Sequence, residues 1–398
     1  MITRLFADNF RCLSNFEVKF APLTILLGPN GSGKSACLGL LSGLRDLILG
    51  RSTAASVFPS ESRTRWDMRL EQTFELEICL SGGNYTYRLV VSHHDGLIPR
   101  RDKSPVNRIK EEILQLDGQI LYKANIEETR VYNDSGIGGG VQLLTDWQIS
   151  GISRVHERHD NRKLVAFRDF LWHMPAIALN PYAVGAATDE KQPVDLPSVD
   201  CGDFAGFLAN LIVSDAQVMR PVEDALRDGP LSGLLAFEAP PYGDSRIVQC
   251  LFPRGSTSPA SGPVRFRLDE LSSGQIATVI LQTLATFVEK HAGALILDEP
   301  GNFLAVSEMQ PFLSQLESLA LEQDRQVVIS THHPLAIDFL AAGHGLWFER
   351  DPSGPTRSPV PLHVDESARA EGAYLRVSDL IARGWLSGLG VEARRSIH

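Results

Sequence analysis

The chain has 398 residues, 43% of them hydrophobic and 22% charged, with a formal net charge of −10. That length suits two lobes or one elaborated domain with a full core. The balance excludes disorder, collagen-like fibre and any run near the ~18 apolar residues of a membrane span. A chain this acidic does not hold a polyanion by its overall field, so any nucleic-acid contact must be a local patch.

No basic-then-apolar leader opens the sequence, and a cytoplasmic protein is expected. Five cysteines (Cys12, Cys37, Cys79, Cys201, Cys250) are scattered without metal-ligand spacing or a disulfide framework, and are expected to be buried thiols. Strands are predicted at 2–7 and 16–20, before the short apolar run 23–27 (LTILL), which glycine closes as a buried parallel strand should be closed. A helix over 35–49 follows. Residues 73–92 alternate on either side of Ser81-Gly82-Gly83-Asn84 and predict a hairpin, and 111–150 continue the antiparallel pattern. Pro193, Pro197 and the loops 253–263 and 351–361 then punctuate the chain.

Between those breaks an amphipathic helix aligns Phe204, Phe207, Leu208, Leu211 and Ile212. Helices over 272–289 and 308–322 flank an apolar strand at 294–297, and a further strand is expected at 326–330. Such alternation predicts an α/β fold with a composite parallel sheet built from both chain ends, plus an antiparallel β subdomain and a helical insert. The expected division is an N-terminal lobe over 1–190, an insert over 191–264, a second lobe over 265–350 and a tail over 351–398.

Three motifs carry chemistry. Gly28-Pro29-Asn30-Gly31-Ser32-Gly33-Lys34-Ser35 matches G-x-x-x-x-G-K-[ST] between an apolar strand and a helix. In that pattern glycines let backbone N–H groups wrap a phosphate, Lys34 reaches the β- and γ-phosphates of a nucleotide, and the Ser35 hydroxyl binds Mg²⁺. The strand 294–297 runs into Asp298-Glu299-Pro300; Asp298 suits a Mg²⁺ contact and Glu299 suits polarisation of an attacking water. Leu271-Ser272-Ser273-Gly274-Gln275 opens a helix with a hydroxyl and a glycine N–H, a second anion site that one phosphate loop does not need. A second subunit would need it.

LSSGQ, then ILDEP, then Ile329-Ser330-Thr331-His332-His333-Pro334 is the motif order of the ABC-type ATPases. With Asp8-Asn9-Phe10-Arg11-Cys12-Leu13 ahead of PLTILLGPNGSGKS, the chain resembles the soluble SMC, RecF and OLD branch of that family over about 1–50 and 265–345. The resemblance implies a P-loop NTPase of the ABC-head type that forms an ATP-dependent homodimer, with two nucleotides sandwiched between subunits. It further implies that Asn30, Gly31, Ser32, Gly33, Lys34 and Ser35 cradle ATP, and that Ser272 and Gly274 meet the partner's γ-phosphate. On the same grounds Glu299 is the hydrolytic base, His332 senses the γ-phosphate, and Arg11 lies near nucleotide. Ala305 departs from the pattern, where many members have aspartate, and Gln72, Gln142 and Gln148 all remain candidates for the glutamine that couples the lobes to Mg²⁺.

Weaker constellations have plainer readings. Gly136–Gly140 suits a hairpin tip, and His156, Glu157 and His159 suit a solvated loop. The run Arg100, Arg101, Lys103, Arg108 and Lys110 suits either a solvated face or a phosphate-backbone patch for DNA. The functions implied are DNA repair, maintenance or anti-phage defence, with any nuclease or effector on a separate protein. A nucleotide-gated scaffold with slow hydrolysis is the alternative. A transporter subunit fits less well, since it would have a shorter interval between Gly28 and Leu271.

Overall fold

The computed structural model describes residues 1–93, 107–125, 128–136, 140–143, 146–189, 193–254, 262–362 and 376–382. They fall into two compact units: 1–21, 28–174 and 347–359 form the first, and the remainder the second.

An eight-stranded antiparallel sheet organises the first unit, in the spatial order Phe16–Lys19, Ile2–Asp8, Glu71–Leu80, Gly83–His93, Asn107–Leu116, Gln119–Asn125, Thr129–Val131 and Val141–Leu143. The alternation read in 73–92 produces its inner face. Phe74 pairs with Leu89, Leu76 with Tyr87 and Ile78 with Tyr85, and all six are buried. Phe167 of the helix Arg162–Trp172 stacks on Tyr85 and Tyr87 at 5.7 and 6.1 Å. On the outer face Arg4 binds Glu17, Glu75 and Glu77 at 2.7, 3.0 and 3.0 Å, and Arg88 binds Glu75 and Glu111. Beside the sheet, the helix Lys34–Ile48 buries Leu38, Leu41, Leu44 and Ile48.

A six-stranded sheet organises the second unit, in the order Ala176–Ala178, Ala294–Asp298, Gln326–Ser330, Leu23–Leu27, Gly345–Trp347 and Val360–Pro361. Its first four strands are parallel. The two ends of the chain do build one sheet, because Leu23–Leu27 lies beside Gln326–Ser330 and every residue of both strands is buried. Continuous apolar runs of this kind fit strands covered on both faces.

Three features differ from the sequence expectation. The middle of the chain contributes Ala176–Ala178, a three-residue sheet edge too short for its pattern to register. The segment expected to be a helical insert holds the helices Phe204–Ser214 and Ala216–Arg227. With flanking residues it also forms two small antiparallel sheets of two- to four-residue strands. Finally, Cys37, Cys201 and Cys250 are buried as expected and Cys12 is half-buried, but Cys79 is exposed, at an outward position near the hairpin turn. Among the described residues no helix is long and apolar enough to cross a membrane.

Candidate nucleotide site

The chain passes from Leu27 directly into the phosphate loop, whose glycines take backbone conformations that side chains resist. Gly28, Gly31 and Gly33 have φ of 138°, 76° and 106°. Gly33 is the N-cap of the helix Lys34–Ile48 and supplies no side-chain cap, which leaves the helix's first N–H groups for an anion. Asn30, Gly31 and Ser35 are exposed, whereas Ser32, Gly33 and Lys34 are buried. Lys34 Nζ donates to the carbonyls of Gly28 and Pro29 at 2.7 and 3.1 Å, so the ammonium lies along its own loop. The Ser32 hydroxyl oxygen is buried, with no hydrogen-bond partner among the described residues.

Arg11 lies on a tight turn next to this loop. It has φ 51°, its N–H donates to the Ser62 carbonyl at 2.6 Å, and its exposed guanidinium stands 5.4 Å from the Phe10 ring. A Cβ on Gly33 would lie 3.3 Å from Cys12 Sγ, so the turn and the loop are in contact. Beneath the turn is a buried polar network. Gln72 donates to the Asn9 carbonyl at 2.9 Å and accepts from His93 Nε2 at 2.8 Å, while Asn9 Nδ2 donates to the carbonyls of Arg69 and Glu71. Burial, helped by the Arg63 charge, pushes His93 down to about 4.

In the second unit, Asp298, Ser330 and Leu26 form one row across three neighbouring strands, at the C-terminal end of each. The Ser330 hydroxyl donates to Asp298 Oδ1. Glu299 sits at φ 51°, and its backbone N–H donates to the Ser330 carbonyl at 3.0 Å. Its carboxylate accepts the His332 backbone N–H at 3.1 Å, with His332 Nε2 3.5 Å from the other oxygen. Thus the structure brings Asp298, Glu299 and His332 together at the C-terminal ends of two neighbouring parallel strands, where open α/β sheets hold ligands. Neighbouring His333 is half-buried, its Nδ1 without a hydrogen-bond partner among the described residues.

Ser272 is exposed and caps the helix Ser273–His291. It accepts the Gln275 N–H at 3.3 Å, while Gln275 Oε1 accepts the Ser272 N–H at 3.0 Å. A hydroxyl that accepts one bond keeps its proton to donate, so capping leaves Ser272 able to bind an anion. Gly274 stands where a Cβ would come within 3.2 Å of the Phe303 carbonyl. Ala305, the N-cap of the helix Val306–Leu321, has no side-chain oxygen; instead its N–H donates to Glu308 at 3.0 Å.

No family model matches the chain. A solved structure of the SmcHead bound to the C-winged helix domain of ScpA superposes with TM-score 0.53 at 11% identity, covering 92% of this chain and 99% of that one. An Smc head domain with an extended coiled coil, bound to the C-terminal domain of ScpA derived from Pyrococcus furiosus, gives TM-score 0.53 at 9% identity. That match covers 93% and 98% of the two chains. The chain has the fold of an SMC head. By sequence it is similar to the OLD nuclease of Thermus scotoductus, 44% identical over 50 residues, which is 13% of this chain but only 9% of that protein.

Several sequence candidates gain a position within this SMC-head fold. Gln72 is fully buried and its amide is spent on Asn9, Ser62 and His93; Gln148 donates to the Asn107 carbonyl at 2.5 Å, and Gln142 is exposed on a short strand. Arg100, Arg101, Lys103 and residues 137–139 lie outside the described residues. Of the remaining basic run, Arg108 stacks over Trp147 at 5.0 Å and Lys110 pairs with Glu71. His156, Glu157 and His159 are exposed in irregular chain, and no metal-ligating group of three exists among the described residues. Sequence reading missed Thr356, whose contact with the phosphate loop joins residues too distant for any motif.

Proposed function

We propose that this chain is an ATP-binding and ATP-hydrolysing head that dimerises on ATP. The observation that carries the reading is the row Asp298, Ser330 and Leu26, with Glu299 and His332 at its end and the phosphate loop leaving the same strand one residue after Leu26's neighbour Leu27. The SMC-head fold supports it. In this reading the N–H groups of Asn30 to Lys34 and the Lys34 ammonium hold the phosphates, and Arg11 adds positive charge beside them.

Glu299 takes a proton from the attacking water, and His332 reports on the γ-phosphate. Ser272 and Gly274 serve the partner's nucleotide, since a helix cap of that kind is an anion site in its own right. Ser35 and Asp298 offer hard oxygen donors, a hydroxyl and a carboxylate. Each is a donor type that fits Mg²⁺, which takes few protein oxygens and completes its shell with phosphate and water. When bound, Mg²⁺ neutralises charge on the β- and γ-phosphates.

The process served is DNA repair, maintenance or anti-phage defence, with nuclease or other effector chemistry on a separate partner. The partial likeness to an OLD nuclease and the ScpA-bound state of the Smc heads support an ATPase that works through partners. The test is ATP turnover and oligomeric state, measured with and without DNA at low salt, for the wild type and Lys34→Ala. Loss of nucleotide binding in Lys34→Ala, with ATP-dependent dimerisation of the wild type, sustains the reading. A wild type that neither binds nor hydrolyses ATP defeats it.

A further inference from the structure

The segment 347–359 belongs to the first unit although it follows His332 in sequence. It lies against the phosphate loop at two points. Thr356 is 2% exposed; its hydroxyl donates to the Ser32 carbonyl at 2.9 Å and its N–H donates to the Cys12 carbonyl at 2.7 Å. A Cβ added to Gly33 would come within 2.6 Å of Thr356 Oγ1, and one added to Gly28 within 2.2 Å of the Phe348 carbonyl oxygen. The glycines are therefore required twice, by their positive φ and by the chain packed behind them. Phe348, fully buried against Phe16 at 5.8 Å, anchors the segment.

We infer that Thr356 is a positioning residue for the phosphate loop: by holding the Ser32 carbonyl toward the protein interior, it aims the Gly33 N–H outward at a phosphate oxygen. The inference rests on the reading of this loop as a nucleotide site. A peptide unit is planar and trans, so the Ser32 C=O and the Gly33 N–H point in opposite directions, and fixing one fixes the other. Gly33 itself cannot enforce that orientation, because glycine crosses between backbone regions at little cost. Were the peptide to flip, a carbonyl oxygen would face the phosphate where a donor should stand. The hydroxyl is thus a form of pre-organisation, set before any ligand arrives. Because Thr356 also holds the Cys12 carbonyl, the Arg11 turn is tied to the same point.

Two variants separate this role from simple packing. Thr356→Ser keeps the hydroxyl and loses a methyl, while Thr356→Val keeps the shape and loses the hydroxyl. Binding of the fluorescent analogue mant-ATP with magnesium would be titrated for both, beside the wild type and Lys34→Ala, with melting temperatures as a fold check. The expected result is a Thr356→Ser variant within about twofold of wild type and a Thr356→Val variant weakened about tenfold, the size of one well-placed hydrogen bond. A packing role gives the reverse order and overturns the inference. If Thr356→Val does not fold, Thr356→Ser decides alone: wild-type affinity sustains the inference and a tenfold loss overturns it. A wild type that binds no analogue overturns the nucleotide reading itself, and this inference with it.

Discussion

The two oxygens of Glu299 face His332 in different ways: one accepts the backbone N–H at 3.1 Å, and the other stands 3.5 Å from ring Nε2. The carboxylate that follows the strand Ala294–Asp298 is thereby oriented by the residues that follow Gln326–Ser330, as the proposed role of Glu299 as a base requires. Glu299→Gln keeps the size and one acceptor but cannot take a proton. Turnover should fall about 10²- to 10⁴-fold while mant-ATP affinity stays near wild type. Equal losses in binding and turnover would mean that Glu299 is structural.

Ser272 allows a direct test of the proposed trans contact, because its cap and its exposed hydroxyl can be separated. Ser272→Asp retains an N-cap acceptor and so should leave the melting temperature nearly unchanged. It also puts a negative charge where the partner's phosphates would lie. Sedimentation should then find an ATP-bound monomer with unaltered nucleotide affinity. Ser272→Arg should likewise stay monomeric, but lose about 1 kcal/mol of stability with the cap. An ATP-bound Ser272→Asp dimer would defeat the trans contact.

Glu112 is 1% exposed in the middle of the antiparallel sheet, where it accepts from Tyr87 Oη at 2.9 Å, from Ser150 Oγ and from the Gly151 N–H at 3.3 Å. Burial pushes its carboxyl above the usual range, against the pull of these donors and Tyr122. Raised folded affinity for a proton means that its stabilising contribution is full below the ordinary glutamate value and fades as pH rises through the folded one. In Glu112→Gln that part of the pH dependence of melting should vanish. Glu112→Ala, which orphans the hydroxyls, should cost about 2–5 kcal/mol in urea denaturation.

His93 works in the opposite sense. Its folded value is pushed down to about 4, so the neutral ring contributes stability above about 6.5 that is lost as pH falls toward 4. Protonation there would strand a charge beside Gln72 and the Asn9 turn. Melting profiles should show a steeper acid decline for wild type than for His93→Gln over that window. Parallel profiles would mean that His93 takes up its proton alike in the folded and unfolded chains.

Much of the site could be read from local pattern. The phosphate loop, Asp298-Glu299 and the Ser272 cap each need only a strand end or a helix start, and both are fixed by a few adjacent residues. Positions set by distant pairing could not be read. Ala176–Ala178 becomes a strand because Ala294–Asp298 offers it a parallel partner, and three residues carry no period of their own. Gln72 matches a coupling glutamine in type, yet its amide is enclosed by Asn9, Ser62 and His93.

At the level of length and charge the sequence by itself determined an ordinary packed protein whose acidity confines polyanion binding to a patch. Its motifs determined where a phosphate could sit, since glycine conformations, a helix N-terminus and an apolar strand are local consequences of residue type. Only the tertiary structure decided what holds that loop in shape. Thr356 reaches Ser32 across 324 positions. A single hydrogen bond of that span has no periodicity to announce it; it exists because the buried Ser32 carbonyl must find a donor.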